Sequence, residues 1–579
     1  MTPVVARTTT RKSGGVNTPP FAAHGFWRML VLLLAFGMFV ILLIGRLATL
    51  ALFESSRAYG ATSTEYVPER GDIVDRNGIP LARSIYGYAI WVKPQDILGD
   101  RKQLANQLAA IFPDTPASEF YAKLTADKPG YLRKRALPEQ VREVHGLGEI
   151  AIEFPREATR LYPQHDMAAH VLGFVNRDGK GAMGMERVMN DYLRDPSKRS
   201  TPLNLALDVR VQAALESELA SGMAATSAKG AAGVILDVQT GEVIAMATLP
   251  SFNPNRPSFA NIPDRGQTIV DGRYPISRQT NNVTNRVYEL GSTFKPLTVA
   301  AALDAGTVRD LSVRYDATKP LQVGRFKIRD SHPSERWLNT PEALIHSSNV
   351  VTAQIADNLG AARMDAMLRT MHFNARPDIE LAEKAMPLYP KTWGRLTNMT
   401  VGYGHGISVT PLHLASGYAA MVNGGIYRPA TMFKTKAGAK IPGKRVFKAS
   451  TSARMRQMMR MIVVDGTGKK ADALGYRVGG KTGSAEKPGI GGYSRNLVVA
   501  TFAAAFPMDN PRYVVVAMLD EPQGTEASSF QRTAGYTAAP VVQKTVTRIG
   551  PLMGIIPDMK RDVDVSELMP LLWKAKGEQ

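Results

Sequence analysis

Residues 29–53 are largely apolar with Arg46 the only charge, and a helical run of that length, rising ~1.5 Å per residue, crosses a ~30 Å hydrocarbon layer with some tilt. The pattern predicts one transmembrane helix, with Arg46 snorkelling to the far interface. In residues 66–82 apolar and polar positions alternate on either side of Asp75-Arg76-Asn77-Gly78, and Asn-Gly in such a place predicts a β-hairpin. Helical spacing follows at 102–112 and 209–219, then strands at 231–237 and 242–247 about the turn Gln239-Thr240-Gly241. Residues 296–303 are apolar nearly all round, the mark of a helix buried inside a domain. Thr340-Pro341-Glu342 has the cap-then-proline form of a helix start, and a second apolar helix is expected at 350–359. Strands at 478–484, 497–506 and 513–519 and a helix after Tyr536 complete the pattern.

Charge orients the first helix. Arg7, Arg11, Lys12 and Arg28 precede it with no acidic residue among them, so the positive-inside rule keeps this tail in the cytoplasm and puts everything after Phe53 outside. A cleaved signal peptide is the rival reading, but no clear small-x-small cleavage site follows the run. With 579 residues, 44% hydrophobic and 21% charged, the chain has material for two or three domains. A formal net charge of +20 suits anionic lipid or wall polymer, since no nucleic-acid motif is present. The absence of cysteine excludes disulfides and thiolate metal sites, and the nine histidines form no convincing ligand cluster, so no metal or cofactor is expected. His170, alone in an apolar run, reads as a satisfied structural histidine.

Candidate chemistry begins at Glu289-Leu290-Gly291-Ser292-Thr293-Phe294-Lys295-Pro296, which opens onto the apolar helix. At a spacing of three, Ser292 and Lys295 share a helical face, placing a hydroxyl beside an amine. Lysine acts as a base near neutral pH only if burial or a second cation depresses its pKa, so a second cation is required. His346-Ser347-Ser348-Asn349, pinched between two apolar helices, supplies a hydroxyl for proton relay and an amide that donates and accepts. Lys481-Thr482-Gly483-Ser484, read as a strand, supplies the second cation in Lys481 and, in Gly483, a place where a ligand approaches the backbone closely. Each piece has a decoy: Ser484 to Lys487 repeats Ser-x-x-Lys, Ser251-Phe252-Asn253 and Ser494-Arg495-Asn496 repeat Ser-x-Asn, and Lys12-Ser13-Gly14 repeats Lys-Ser/Thr-Gly. Only one choice puts the nucleophile on a buried helix, Ser-x-Asn between helices and Lys-Thr-Gly on a strand, in that order.

This ordered triple resembles the signature set of the penicillin-binding proteins and serine β-lactamases. Arg70-Gly71-x-Ile73-x-Asp75-Arg76-Asn77-Gly78, Arg160-x-Tyr162-Pro163, His170-Val171-Leu172-Gly173 and Gly184-x-Glu186 look like motifs of the pedestal domain of class B members. Ser347-Ser348-Asn349 is similar to the division branch of that class, whose elongation counterpart usually carries Asp at the third place. Leu290, where many relatives have Pro, and His405, often aromatic in relatives, depart from the pattern.

The resemblance implies an α+β fold: a five-stranded antiparallel sheet flanked by helices, on an elongated N-terminal pedestal with one transmembrane helix. The expected divisions are 1–28 cytoplasmic tail, 29–53 transmembrane helix, 54–202 pedestal, 203–557 transpeptidase domain and 558–579 C-terminal tail. It further implies a septal peptidoglycan D,D-transpeptidase. Ser292 would be the nucleophile, Lys295 its base, and Ser347 with Lys481 a proton relay. The backbone N–H groups of Ser292 and Ser484 would form the oxyanion hole. Thr482, Gly483, Ser484 and Asn349 would bind a stem peptide ending in D-Ala-D-Ala, which β-lactams mimic. No PASTA-like repeat follows, as in Gram-negative members, so the expected location is the inner membrane with a periplasmic catalytic domain. The implied partners are divisome proteins, a glycosyltransferase among them. A β-lactamase would need a second base, and a non-catalytic scaffold would not need the relay.

Overall fold

The computed structural model describes residues 20–49 and 69–573, except 177, 258–276, 437 and 490–491. The chain divides into two compact units, residues 1–66 and 67–579. In the first, α1 (Pro20–Thr49) contains the span Trp27–Arg46, whose mean hydropathy of 2.6 makes it long and apolar enough to cross a membrane. Residues 50–53 of the expected span, the basic residues Arg7, Arg11 and Lys12, and the start of the expected hairpin at 66–68 lie outside the described residues.

The second unit opens with β1 (Ile73–Val74) and β2 (Pro80–Val92), antiparallel about the expected turn. Asp75 makes that turn by accepting from the N–H groups of Asn77 (2.7 Å) and Ile79 (2.8 Å), while Gly78 takes the left-handed conformation at φ +83°. Helix α2 (Arg101–Ile111) follows, capped by the Asp100 carboxylate on Lys102 N and Gln103 N. Strands β3 (Gly130–Ala136), β4 (Ile152–Glu153) and β5 (Arg156–Leu161) all pair with β2. Together with helices, they enclose a separate small core of Ile90, Leu104, Leu108, Phe112, Phe120 and Leu124.

Strand β6 (Leu203–Asn204) then returns to run parallel to β1, Ile73 opposite Leu203 and Val74 opposite Asn204. Just below this joint Glu186 is fully buried between two guanidiniums, accepting from Arg70 Nε (2.9 Å) and Arg160 Nε (2.6 Å). The motif residues of the pedestal thus meet at its junction with the rest of the chain. Ile73, Leu81, Tyr162 and Val171 share one core with residues far along the sequence, so the expected pedestal is continuous with the catalytic half at this point.

In that half, α3 (Val209–Ala225) leads into β7 (Gly230–Asp237) and β8 (Val243–Leu249). Helices α4 (Lys295–Asp304), α5 (Thr340–Ile345), α6 (Asn349–Leu359), α7 (Pro411–Val422) and α8 (Ala449–Val464) precede the last strands. These are β9 (Gly479–Gly489), β10 (Gly492–Phe506) and β11 (Tyr513–Asp520), with α9 (Ala538–Leu552) closing the domain. The five-stranded sheet runs β9-β10-β11-β7-β8, every pair antiparallel. Along β11 the pleat sends Val514, Val516 and Met518 into the core shared with α4 and α7, and Val515, Ala517 and Leu519 into the core shared with α3 and α9. Both faces are covered, which is why this strand reads as an unbroken apolar run rather than an alternation.

Residues 558–573 of the expected tail lie along the catalytic half: Leu568 is buried, and Leu571 O accepts from Asn339 Nδ2 at 2.7 Å.

Candidate active site

The nucleophile candidate sits in a tight turn. Residues Gly291–Phe294 form one 3-10 turn before α4, with Lys295 N bonded to Ser292 O and Pro296 in the first turn of the helix, where its missing N–H costs nothing. Gly291 is left-handed at φ +54°, and the turn presses against the edge strand β9. A Cβ on Gly483 would lie 2.3 Å from Leu290 O, and one on Gly404 would lie 2.0 Å from Gly291 O. Glycine at the two places therefore lets the strand and the Gly404 loop close on the Ser292 turn. Thr293 is buried, its hydroxyl donating to Leu290 O (2.8 Å) and its carbonyl accepting from Tyr418 OH (2.8 Å), which pins the turn to α7. Ser292 is half-buried at the surface of this arrangement.

Helix α5 delivers the second motif. Its N-cap is Asn339, not the Thr340 expected from the sequence, and Glu342 completes a capping box with it. The cap lies one residue earlier because Asn339 Oδ1 accepts from Glu342 N at 2.9 Å. Between α5 and α6, Ser347 adopts φ +61°, a conformation that costs a non-glycine residue roughly 1 kcal/mol and that marks functional turns. Ser348 caps α6 through Val351 N, and Asn349 is its first residue, Nδ2 donating to Arg329 O at 2.8 Å.

Two of the expected residues converge on the hydroxyl of a third. Lys295 Nζ donates to Ser347 Oγ at 3.1 Å and also to Ser347 O, and Lys481 Nζ donates to the same Oγ at 2.9 Å. The sequence put Lys295 beside Ser292; its amine instead bonds to Ser347, across the gap between α4 and α5. Lys481 Nζ is also 3.1 Å from Thr482 Oγ1, which in turn lies 2.9 Å from Thr467 Oγ1. Ser484 Oγ accepts from Ala534 N at 2.9 Å, leaving its own proton to donate.

Both lysines are fully buried. Burial, reinforced by the charge of Lys481 and opposed by Asp330, pushes the Lys295 amine well below the ordinary lysine range. Burial brings Lys481 down to about 7. Two ammonium groups on one hydroxyl repel, so near neutral pH the pair holds fewer than two protons and a neutral amine is available as a base. Ser347 Oγ, between them, is placed to pass a proton from one to the other.

Two residues of the cluster were not singled out from the sequence. Asp330 Oδ1 accepts from Asn349 N (2.5 Å) and Val350 N (2.9 Å), and its Oδ2 from the Ser348 hydroxyl (2.7 Å), fixing the turn that presents Ser347. Thr467 stands between Gly466 and Gly468, and that glycine bracket was the one available hint. The decoy Lys487 is held by Asp520 (2.8 Å) and Glu521 (2.7 Å). His170 is buried, bonded to Arg278 O at 2.7 Å and edge-on to Phe252. His405 pairs with Glu289, Nδ1 to Oε2 3.1 Å, and Glu289 Oε1 accepts from Gly406 N; this pair joins the segment before Ser292 to the loop at Gly404.

Residues 231–547 match the model of the penicillin-binding protein transpeptidase domain, and residues 65–199 that of the penicillin-binding protein dimerisation domain. The chain is 36% identical over 515 residues to a probable peptidoglycan D,D-transpeptidase FtsI of Caulobacter vibrioides, covering 87% of this chain and 85% of that one. It is 32% identical over 537 residues to the peptidoglycan D,D-transpeptidase FtsI of Escherichia coli K12, covering 86% of each. Among solved structures it is similar to penicillin-binding protein 3 of Mycobacterium tuberculosis complexed with aztreonam, with a TM-score of 0.64 and 25% identity over 85% of this chain and 97% of that one.

Proposed function

The chain belongs to the penicillin-binding protein transpeptidase family, and from that premise we propose that it cross-links peptidoglycan stem peptides in septal wall synthesis as a serine D,D-transpeptidase. The observation that carries the site assignment is the single Ser347 hydroxyl shared by two buried lysines of depressed pKa.

Neutral Lys295 takes the proton of the Ser292 hydroxyl as Ser292 Oγ attacks the carbonyl between the last two D-alanines of a donor stem. The N–H groups of Ser292 and Ser484 hold the oxyanion, a device usually worth ~3 kcal/mol per donor. When the peptide bond breaks, the departing D-alanine amine receives a proton through Ser347 and Lys481, and the acyl group remains on Ser292. An amine on a neighbouring stem then attacks that ester, forming the cross-link and returning the proton to Ser292. Thr482 and Ser484 hydroxyls, beside the charge of Lys481, bind the donor carboxylate; Gly483 admits the peptide to the strand edge; Asn349 binds its backbone amide. β-Lactams enter as donors whose acyl-enzyme persists.

The apolar span of α1 and the basic residues before it support a single-pass anchor in the inner membrane, N-terminus cytoplasmic and catalytic domain periplasmic. The division naming of the relatives supports divisome partners, a glycosyltransferase among them.

The test is intact-mass labelling of the full chain in detergent with benzylpenicillin, beside Ser292→Ala. A lasting adduct on the parent and none on the variant is the expected result. Rapid loss of the adduct with hydrolysed drug accumulating identifies a lactamase, and no adduct on folded parent overturns the assignment.

A further inference from the structure

The C-terminal segment is tied to both elements that meet at Ser347. At one end Asp562 forms a two-oxygen pair with Arg460 of α8, Nη2 to Oδ2 2.7 Å and Nε to Oδ1 2.8 Å. Arg460 is buried, and its Nη1 also donates to Val478 O (2.9 Å), immediately before β9, and to Asp472 (2.7 Å). The pair therefore anchors the segment at the root of the strand that carries Lys481.

At the other end the segment reaches the root of helix α5. Leu571 O accepts from Asn339 Nδ2 at 2.7 Å, and Trp573 N donates to Glu342 Oε1 at 2.9 Å. The Glu342 carboxylate is 1% exposed and its oxygens are filled: Oε1 by Trp573 N and Arg336 Nη1 (2.9 Å), Oε2 by Asn339 N (3.0 Å) and Arg314 Nη1 (2.8 Å). The Trp573 ring lies over the Arg336 guanidinium at 5.0 Å, and Arg336 Nη2 is 3.2 Å from His346 Nε2, the residue before Ser347. Between the two ends Leu568 is buried, Asp564 O accepts from Gln457 Nε2 (2.7 Å) and Glu567 pairs with Arg454 (2.9 Å).

We propose that residues 562–573 are a positioning strap, tying the root of the Lys481 strand to the root of the Ser347 helix and so setting the Lys481–Ser347 bond on which the proton relay depends. The inference rests on the reading of Ser347 and Lys481 as that relay. It follows from what the strap spans. Lys481 and Ser347 are 134 residues apart in sequence and meet at 2.9 Å, and an error of about 1 Å at such a contact can cost about a hundredfold in rate. Trp573, Leu571 and Asp562 act through Arg336, Asn339 and Arg460, and touch no reacting atom.

The experiment compares the full chain in detergent with a chain ending at Arg561, with Trp573→Ala, Trp573→Phe and Ser347→Ala. It measures the second-order rate constant of acylation by benzylpenicillin as a function of pH, and thermal melting. Truncation is expected to slow acylation about tenfold or more and to move the pH profile, because the proton affinities of the lysines depend on their contact at Ser347. Trp573→Ala should show a smaller change of the same kind, and Trp573→Phe, which keeps a ring over Arg336, should restore the parent profile. If the truncated chain does not fold, the two Trp573 variants decide. Unchanged rate and profile in the strap variants while Ser347→Ala is slow overturns the strap and keeps the relay. A Ser347→Ala chain that acylates like the parent overturns the relay itself.

Discussion

Two buried polar clusters in this molecule are built from the same kinds of group and do opposite things. Under the joint, Arg70 and Arg160 surround Glu186, and further guanidinium protons reach Gly179 O, Glu186 O and Gly71 O. In the catalytic half, Lys295 and Lys481 surround a hydroxyl and carbonyl oxygens, with no carboxylate in hydrogen-bond contact among the described residues. The first cluster gives buried cations a counter-charge and fixed geometry, so it holds structure. The second keeps Asp330 bonded to the Ser347 turn rather than to either amine, so burial lowers the proton affinity of both lysines, as the proposed base requires. A buried cation becomes chemistry when its environment declines to neutralise it.

The comparison can be broken from either side. Removing the proposed base is the largest perturbation: Lys295→Ala should lower the acylation rate constant by about a thousandfold, the middle of the range for general-base contributions, while thermal melting stays near the parent value, since an uncompensated amine has been removed. Glu186→Gln should do the reverse, lowering stability by about 3–5 kcal/mol in denaturant titration because two guanidiniums lose their carboxylate, while acylation per folded molecule is unchanged.

Acidity sharpens the contrast. Acylation should fall roughly tenfold as pH goes from about 6 to about 8, because Lys481, with its pKa near 7, loses the charge that holds the donor carboxylate and the proton it passes on. The same shift appears in folding. Between about 7 and the ordinary 10.5 the unfolded chain holds a proton that the folded chain has lost, so stability rises with pH across that window. Lys481→Met should flatten that slope in denaturant titrations. Asp330→Asn, which weakens the clamp on the Ser347 turn, should slow acylation about fivefold and cost about 1 kcal/mol. Smallest of all, Lys487→Ala in the decoy motif should leave acylation within about twofold of the parent, its ion pairs being worth about 1 kcal/mol.

What the sequence revealed follows the range of the interactions involved. The hairpin about Asp75 and Gly78, the helix after Asp208 and the five strands of the catalytic sheet are written in local spacing, and the structure has them within a few residues. Ser292, Lys295, Ser347 and Lys481 could be singled out because each sits in a short motif on a definable element, and the structure brings the last three together. Asp330 and Thr467 were not singled out, since a carboxylate that clamps a turn from a distant loop leaves no period behind. The bond from Lys295 to Ser347 instead of Ser292 depends on how α4 meets α5, and the packing of 562–573 on α5 and α8 is likewise tertiary.

The parallel pairing of β1 with β6 brings Ile73 beside Leu203 and Val74 beside Asn204, so the chain between them starts and returns at one gate. Within that stretch the core around Phe112 and Phe120 is an excursion with its own packing, while Leu81, Tyr162 and Val171 stay in the core of the catalytic half. Such a plan makes the excursion a cartridge: its length, surface and partners can change over generations, or be exchanged by design, while the gate residues keep the catalytic machinery in register.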